Sequence, residues 1–153
     1  MRKLCALFML VILVGCNEPK IQEYELDMLI SAMRSAVEEK DATLLRAQFT
    51  DDAVIEIAFP AQLGGNKRYS LDGYIKDVAS GWRMGIDQTY RVEDLQMQIA
   101  DDGQTAVITD VVYEDAIHKG QVVMSSRSAE RIEVKRVDKA LKITKIFGDV
   151  ELL

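Results

Sequence analysis

The feature that most constrains this fold is a change of period near residue 88. Before it, apolar residues recur at helical spacing; after it, they alternate. Residues 22–39, "QEYELDMLISAMRSAVEE", put Leu26, Leu29, Ile30, Met33 and Val37 on one helical face. Asp41 is placed to cap a second, shorter helix, "ATLLRAQF", which buries Leu44, Leu45 and Phe49. A strand follows in "DDAVIEIAF", with β-branched Val54, Ile55 and Ile57. "PAQLGGNK" reads as a loop. Ser70 then caps a third helix, "LDGYIKDVASGWRM", whose Leu71, Ile75, Val78 and Trp82 fall in line before Gly85 stops it. From residue 88 come four long strands: "QTYRVEDLQMQIA", with Leu95, Met97 and Ile99 on one face, then "QTAVITDVVYEDAI", "VVMSSRSAERIEVKRV" and "LKITKIFGDVEL". Short turns at "DDG", "HKGQ" and "DKA" join them into an antiparallel meander. Helices followed by strands define an α+β chain. The sheet needs its apolar face covered, and the helices are the only cover. A strongly bent antiparallel sheet wrapped around N-terminal helices is therefore expected, as one domain over residues 22–153.

The first twenty residues read separately. Arg2 and Lys3 precede an apolar run from Leu4 to Val14, too short to span a bilayer as a helix. Length and flanks suit a secretory signal. The run ends in Leu13-Val14-Gly15-Cys16, which resembles the lipobox of bacterial lipoproteins. The resemblance implies a signal peptide over residues 1–15, a lipid anchor on Cys16 and a short tether over residues 16–21. It also implies that Cys5 leaves with the signal, so that the mature chain keeps no free thiol. Asn17 stands where an aspartate typically retains such proteins at the inner membrane. Its presence points to the outer membrane of the bacterial cell envelope, with the domain facing the periplasm.

The charge balance narrows the partners. With 19 basic and 25 acidic residues the formal net charge is −6, and loss of Arg2 and Lys3 makes the domain more acidic still. Such a domain is unsuited to nucleic acid. One histidine and no cysteine beyond Cys16 leave no metal site to expect, and nothing calls for a cofactor. His118, beside a hairpin turn, has no partner for nucleophilic chemistry. Gly64-Gly65 lacks the Lys-Ser/Thr that a phosphate loop requires.

The order of elements, with "EEKDATLLRAQFTDDAVIEI", the helix opening at Ser70, the long hairpins and "KITKIFGD", resembles the nuclear-transport-factor-2-like superfamily. That superfamily includes ketosteroid isomerases, scytalone dehydratase and SnoaL-like proteins. The resemblance implies a cystatin-like cone around an apolar pocket, and a homodimer through the outer sheet face. In the ketosteroid isomerases a base carboxylate ends the strand after Asp-Asp; that position here is Ile57. Their oxyanion-binding tyrosine falls at Met33, and their protonated acid at Glu130. The resemblance thus implies that steroid-isomerase chemistry has lost its base.

Glu130 is the sharpest candidate. Met124, Ser126, Ser128, Glu130 and Ile132 share one face of their strand, and Arg127, Arg131 and Glu133 the other. A carboxyl in an apolar cone favours its neutral form; the plainer reading is a structural carboxylate. Asp110, within "VITDVVY", is assigned to the solvated face, because Val107, Thr109, Val111 and Tyr113 make the more convincing inner set. Tyr74 and Trp82 either line the pocket or pack the core. The pocket set is therefore Met33, Ile57, Tyr74, Trp82, Tyr113, Met124, Ser126, Ser128 and Glu130. The function favoured is binding of a small apolar ligand or a protein partner without catalysis. Its rivals are an isomerase-, dehydratase- or hydrolase-like enzyme using Glu130 as acid/base, and a structural envelope module. An enzyme needs a second polar group converging on Glu130; a binding module does not.

Overall fold

Helix α1 spans Glu23–Glu38 and opens with a reciprocal cap, in which the Gln22 backbone N–H donates to Glu25 Oε2 at 2.9 Å. Its buried stripe is Leu26, Leu29, Ile30 and Ala36. The computed structural model describes residues 19–153; the apolar run, the signal cleavage site and Cys16 lie outside the described residues. Among the described residues no helix is long and apolar enough to cross a membrane.

Helix α2, Ala42–Ala47, is held by Asp41, whose Oδ1 accepts from the N–H groups of Thr43 and Leu44, both at 2.9 Å. Asp41→Ala is expected to cost about 1 kcal/mol, readable as a lower urea midpoint at unchanged slope. The helix is shorter than its sequence suggests. The Gln48 carbonyl accepts from Ile143 N–H at 2.8 Å, so Phe49 already belongs to strand β1, Phe49–Ala58. A strand absent from the sequence reading, β2 at Lys67–Ser70, pairs antiparallel with β1. It covers an edge that would otherwise be open, and Arg68 reaches Glu56 across it at 2.6 Å. Helix α3, Leu71–Arg83, starts at Ser70, whose Oγ accepts from Gly73 N–H at 3.3 Å.

The remaining strands are β3 (Ile86–Ile99), β4 (Thr105–His118), β5 (Gln121–Val137) and β6 (Ala140–Leu152). The sheet runs β2-β1-β6-β5-β4-β3. All neighbours are antiparallel except β1 and β6, which are parallel. The sheet is bent and does not close, as the α+β reading expects. The register slips between Phe49 and Val54 in β1 and between Glu93 and Gln96 in β3, and the extra residue lies in β5 opposite Ala116/Ile117 and in β6 opposite Glu133/Val134. The β3 slip carries Asp94 at φ 52°. It reverses the parity of the strand. Gln88, Tyr90 and Val92 face inward before it, and Met97 and Ile99 after it. Leu95, expected to share the inner face with Met97 and Ile99, lies at the slip and is exposed.

One rung of the sheet makes the floor of the interior. Ile55 of β1, Ile146 of β6, Ile132 of β5 and Ile108 of β4 are consecutive cross-strand partners, and all four are buried. α1 and α2 cover them with Leu26, Ile30 and Leu45. This is the core on which the site stands.

Candidate functional site

The next rung above the isoleucines has a different chemistry. Ile57 pairs with Gly148, Gly148 with Glu130, and Glu130 with Asp110. Cross-strand partners on one face stand about 5 Å apart at Cβ. The two carboxyls therefore sit side by side on the wall, resting on a layer of isoleucine. Gly148 makes room for them: a Cβ there would meet Ser128 Oγ at 3.3 Å and Ile57 Cγ2 at 3.9 Å. The wall encloses a cavity of about 310 Å³ between the sheet and helices α1 and α3. Phe59 and Leu63 beyond β1, Gln88 near the start of β3 and Met124 near the start of β5 ring its open end.

The lining is mostly apolar, with Met33, Val37, Ile57, Val78 and Met124 among it. Within it stand three carboxyls, Asp110, Glu114 and Glu130, and one guanidinium, Arg34 of α1. Burial, then the charge of Asp110, pushes Glu130 up to about 7; the hydrogen bond from Ser128, and more weakly Arg34, act the other way. Burial also raises Asp110, against the pull of Arg34. Asp110 is only 6 % exposed, and its Oδ1 has no hydrogen-bond partner among the described residues. Burial raises Glu114 as well, although Gln88 Nε2 donates to its Oε1 at 2.5 Å. Tyr74 and Tyr90 line the same space, and burial first, then these carboxylates, holds both phenols neutral well above their ordinary range.

Of the residues singled out in the sequence, Met33, Ile57, Tyr74, Met124, Ser126, Ser128 and Glu130 line this one cavity. Tyr113 does not. The inner face of β4 is the even set, Ala106, Ile108, Asp110, Val112 and Glu114, so Tyr113 turns outward and packs under Arg91, 4.0 Å from its ring centroid. Asp110, assigned to the solvated face, is in consequence buried in the cavity wall. Trp82 is no part of the lining either; it packs on the core from the last turn of α3, with its Nε1 buried and unpartnered among the described residues. His118 lies at the end of β4 with Nδ1 3.4 Å from Gly85 O, away from the cavity. Arg34, Gln88, Tyr90 and Glu114 are lining residues that the sequence did not single out. Among the described residues no cluster of His, Cys, Asp and Glu is suited to a metal ion.

No family model matches the chain, and no curated protein matches its sequence. Solved structures do match its shape. An NTF2-like protein from Cytophaga hutchinsonii ATCC 33406 superposes with a TM-score of 0.67 at 15% identity, over 86% of this chain and 99% of that one. A conserved protein from Planctomyces limnophilus DSM 3776 gives 0.70 at 13%, over 86% and 97%. The hexachlorocyclohexane dehydrochlorinase LinA-type3 from Novosphingobium barchaimii LL02 gives 0.64 at 16%, over 86% and 88%. At these identities the likeness is one of fold. The domain has the nuclear-transport-factor-2-like fold, which houses enzymes as well as proteins of unknown function.

Proposed function

We propose that the domain is a proton-transfer enzyme for a small, largely apolar molecule, with Asp110 as base and Glu130 as acid. The observation that carries this reading is the pairing of the two carboxyls on one rung inside an apolar cavity. Two carboxyls whose surroundings push their pKa values apart divide the acid and base roles between them. Burial raises both, and Arg34 offsets part of the rise at Asp110; at Glu130 the Asp110 charge adds to burial and keeps the group protonated up to about 7. In an elimination, the Asp110 carboxylate takes a proton from a C–H bond, whose electron pair becomes the new double bond. Glu130 gives its proton to the leaving hydroxyl, which departs as water. The proton on Asp110 then passes to its neighbour Glu130, and the pair is restored. The sequence favours binding without catalysis because no second group in it visibly converges on Glu130; Asp110 supplies that group. A dehydrochlorinase among the neighbours of similar fold supports an enzymatic reading.

The same proposal places the chain in the bacterial envelope as a lipoprotein anchored at Cys16, on the strength of its leader. The described chain enters the fold at buried Ile21, whose N–H donates to Gly103 O in the β3–β4 turn at 2.8 Å. That turn lies at the floor end of the sheet, so an anchored domain would hold its cavity mouth toward the periplasm. Self-association through the outer sheet face belongs to this reading and draws support from Phe147, exposed opposite Arg131.

Native mass spectrometry of the full chain, with extraction and identification of any bound compound, provides the substrate for a turnover assay. The parent is expected to convert it, and Glu130→Gln and Asp110→Asn to do so about 100-fold more slowly or worse. Conversion at the parental rate by both variants would discard these roles. Stoichiometric binding with no conversion by the parent would return the domain to a pure binding function.

A further inference from the structure

Proton transfer at Asp110 and Glu130 uses two of the three carboxyls in the cavity and leaves Glu114 unexplained. Glu114 follows Asp110 by four residues on the same face of β4, which sets it about 13 Å nearer the open end. Its cross-strand neighbours on the wall are Tyr90 of β3 and Ser126 of β5. Gln88 donates to one of its oxygens. Among the described residues no lysine or arginine other than Arg34 lines the cavity, and Arg34 is drawn on by Asp110 and Glu130 at the floor. With Glu130 protonated and Asp110 facing Arg34, Glu114 is the carboxyl left without a cation among the described lining residues. At the floor, the Asp110 Oδ1 atom, in a residue more than nine-tenths buried, has no donor among the described residues. The wall is rich in acceptors, and a ligand that carries a donor and a positive charge complements it.

We propose, resting on the proton-transfer reading of this cavity, that its substrate is an organic cation: a hydrocarbon frame with its reacting carbon at Asp110 and an ammonium group at Glu114. With about 3 Å of contact at each end, the ~13 Å between the two stations fits an amine about five or six bonds from the reacting centre. An ammonium beside Glu114 gains a charge-assisted hydrogen bond and stands near the Tyr90 ring, both of which strengthen as water is excluded. A carboxylate in the same place would face Glu114 with no cation beside it among the described lining residues. The groups that set the local charge are Arg34 from α1, Tyr74 from α3, Tyr90 from β3, Glu114 and Asp110 from β4 and Glu130 from β5. The tyrosines stay neutral, and the three carboxyls take up protons as the pH falls. Binding of an amine therefore weakens from pH 8 to pH 5, and binding at pH 7 releases protons.

Calorimetric titration of the purified full chain with three matched probes tests this: 3-phenylpropylamine, 3-phenylpropan-1-ol and 4-phenylbutanoate. The amine is expected to bind about tenfold or more tightly than the alcohol at pH 8, with the carboxylate weakest. Glu114→Gln, an isosteric change at the wall, should remove most of that preference by weakening the amine far more than the alcohol. Glu130→Gln should keep the preference and remove only the share of the proton release that comes from Glu130. Equal binding of amine and alcohol, or a preference untouched in Glu114→Gln, overturns the cation proposal and leaves the cavity as a site for neutral molecules. Failure of all three probes to bind overturns the cavity reading along with it.

Discussion

Glu130→Gln is expected to be more stable than the parent at pH 8 and nearly equal to it at pH 4. The folded state holds the Glu130 proton up to about pH 7, whereas the unfolded chain releases it near 4.5. A folded pKa above the unfolded one means that the folded form binds the extra proton. The stabilisation is fully present below the unfolded value, and it drains away as pH rises through the folded one. Across that window the parent loses about 3 kcal/mol from this one group, since each tenfold change in proton affinity is worth about 1.4 kcal/mol. Asp110 and Glu114 are raised by the same burial and lose stability in the same direction. Arg34 opposes the rise at Asp110 and, more weakly, at Glu130, and Tyr74 and Tyr90 stay neutral throughout. Glutamine keeps the shape and has no proton to lose. Thermal unfolding followed by circular dichroism from pH 4 to pH 9 should show a parent that falls in Tm between about 4.5 and 7 and a variant that falls much less. The gap at pH 8 should approach 10 °C, taking about 3 °C per kcal/mol for a chain of this size. Asp110→Asn should move the midpoint of the parent's decline to lower pH, because the Asp110 charge is the second cause of the raised Glu130 pKa. A parent with no decline through this window would mean that Glu130 is solvated, and the acid role would go with it. A gain in stability that coincides with loss of turnover is the signature of a group kept at a cost for its chemistry.

How much of this site is legible in the sequence turns on parity. On β5 the two faces differ in kind: Met124, Ser126, Ser128, Glu130 and Ile132 against Arg127, Arg131 and Glu133. Alternation alone assigns that strand, and the structure agrees. On β4 both faces of "VITDVVYEDAI" carry β-branched residues. The more apolar set reads as inner, which puts Tyr113 in and Asp110 out; the reverse holds. Hairpin register resolves the ambiguity. Met97 and Ile99 read correctly as inward, and carrying that face through the "DDG" turn pairs Ile99 with Ala106, which makes the even residues of β4 inner. The polar inner face is also the exception to expect at a functional rung, where local hydrophobic pattern yields to chemistry. Leu95 fails for another reason: a bulge shifts parity, and Asp94 at positive φ leaves no mark in composition. Helix positions of Met33 and Tyr74 follow from spacing, whereas no pattern in the sequence singles out Arg34, next to Met33, as a lining residue.

Glu25→Ala is expected to be among the most damaging single changes in the domain, lowering stability by about 3–5 kcal/mol, because it strands a buried charge. The Arg136 side chain is 2 % exposed. Its Nη2 donates to Glu25 Oε2 at 2.8 Å, its Nη1 donates to the Lys139 carbonyl at 3.2 Å, and its Nε is buried without a partner among the described residues. The same Glu25 oxygen accepts from the Gln22 backbone at 2.9 Å, so the substitution also removes the α1 cap, worth about 1 kcal/mol more. The Arg136 hydrogen bond lowers the Glu25 pKa, so this part of the stability is present above the unfolded value and disappears as pH falls through the folded one, opposite in sign to Glu130. Urea denaturation at pH 7 of Glu25→Ala, Arg136→Met and the double variant separates the contributions. The single Glu25 change should be the worst; the double should recover much of the loss, since a packed methionine carries no charge to desolvate. A double variant as unstable as the sum of the singles would mean that the pair is solvated and independent. The consequence reaches the cavity. This ion pair ties the first turn of α1 to β5, the two elements that carry Arg34 and Glu130. Loosening it frees the helix to shift against the strand, and the first reporter to move should be the pH midpoint set by Arg34, Asp110 and Glu130, at denaturant concentrations still below global unfolding.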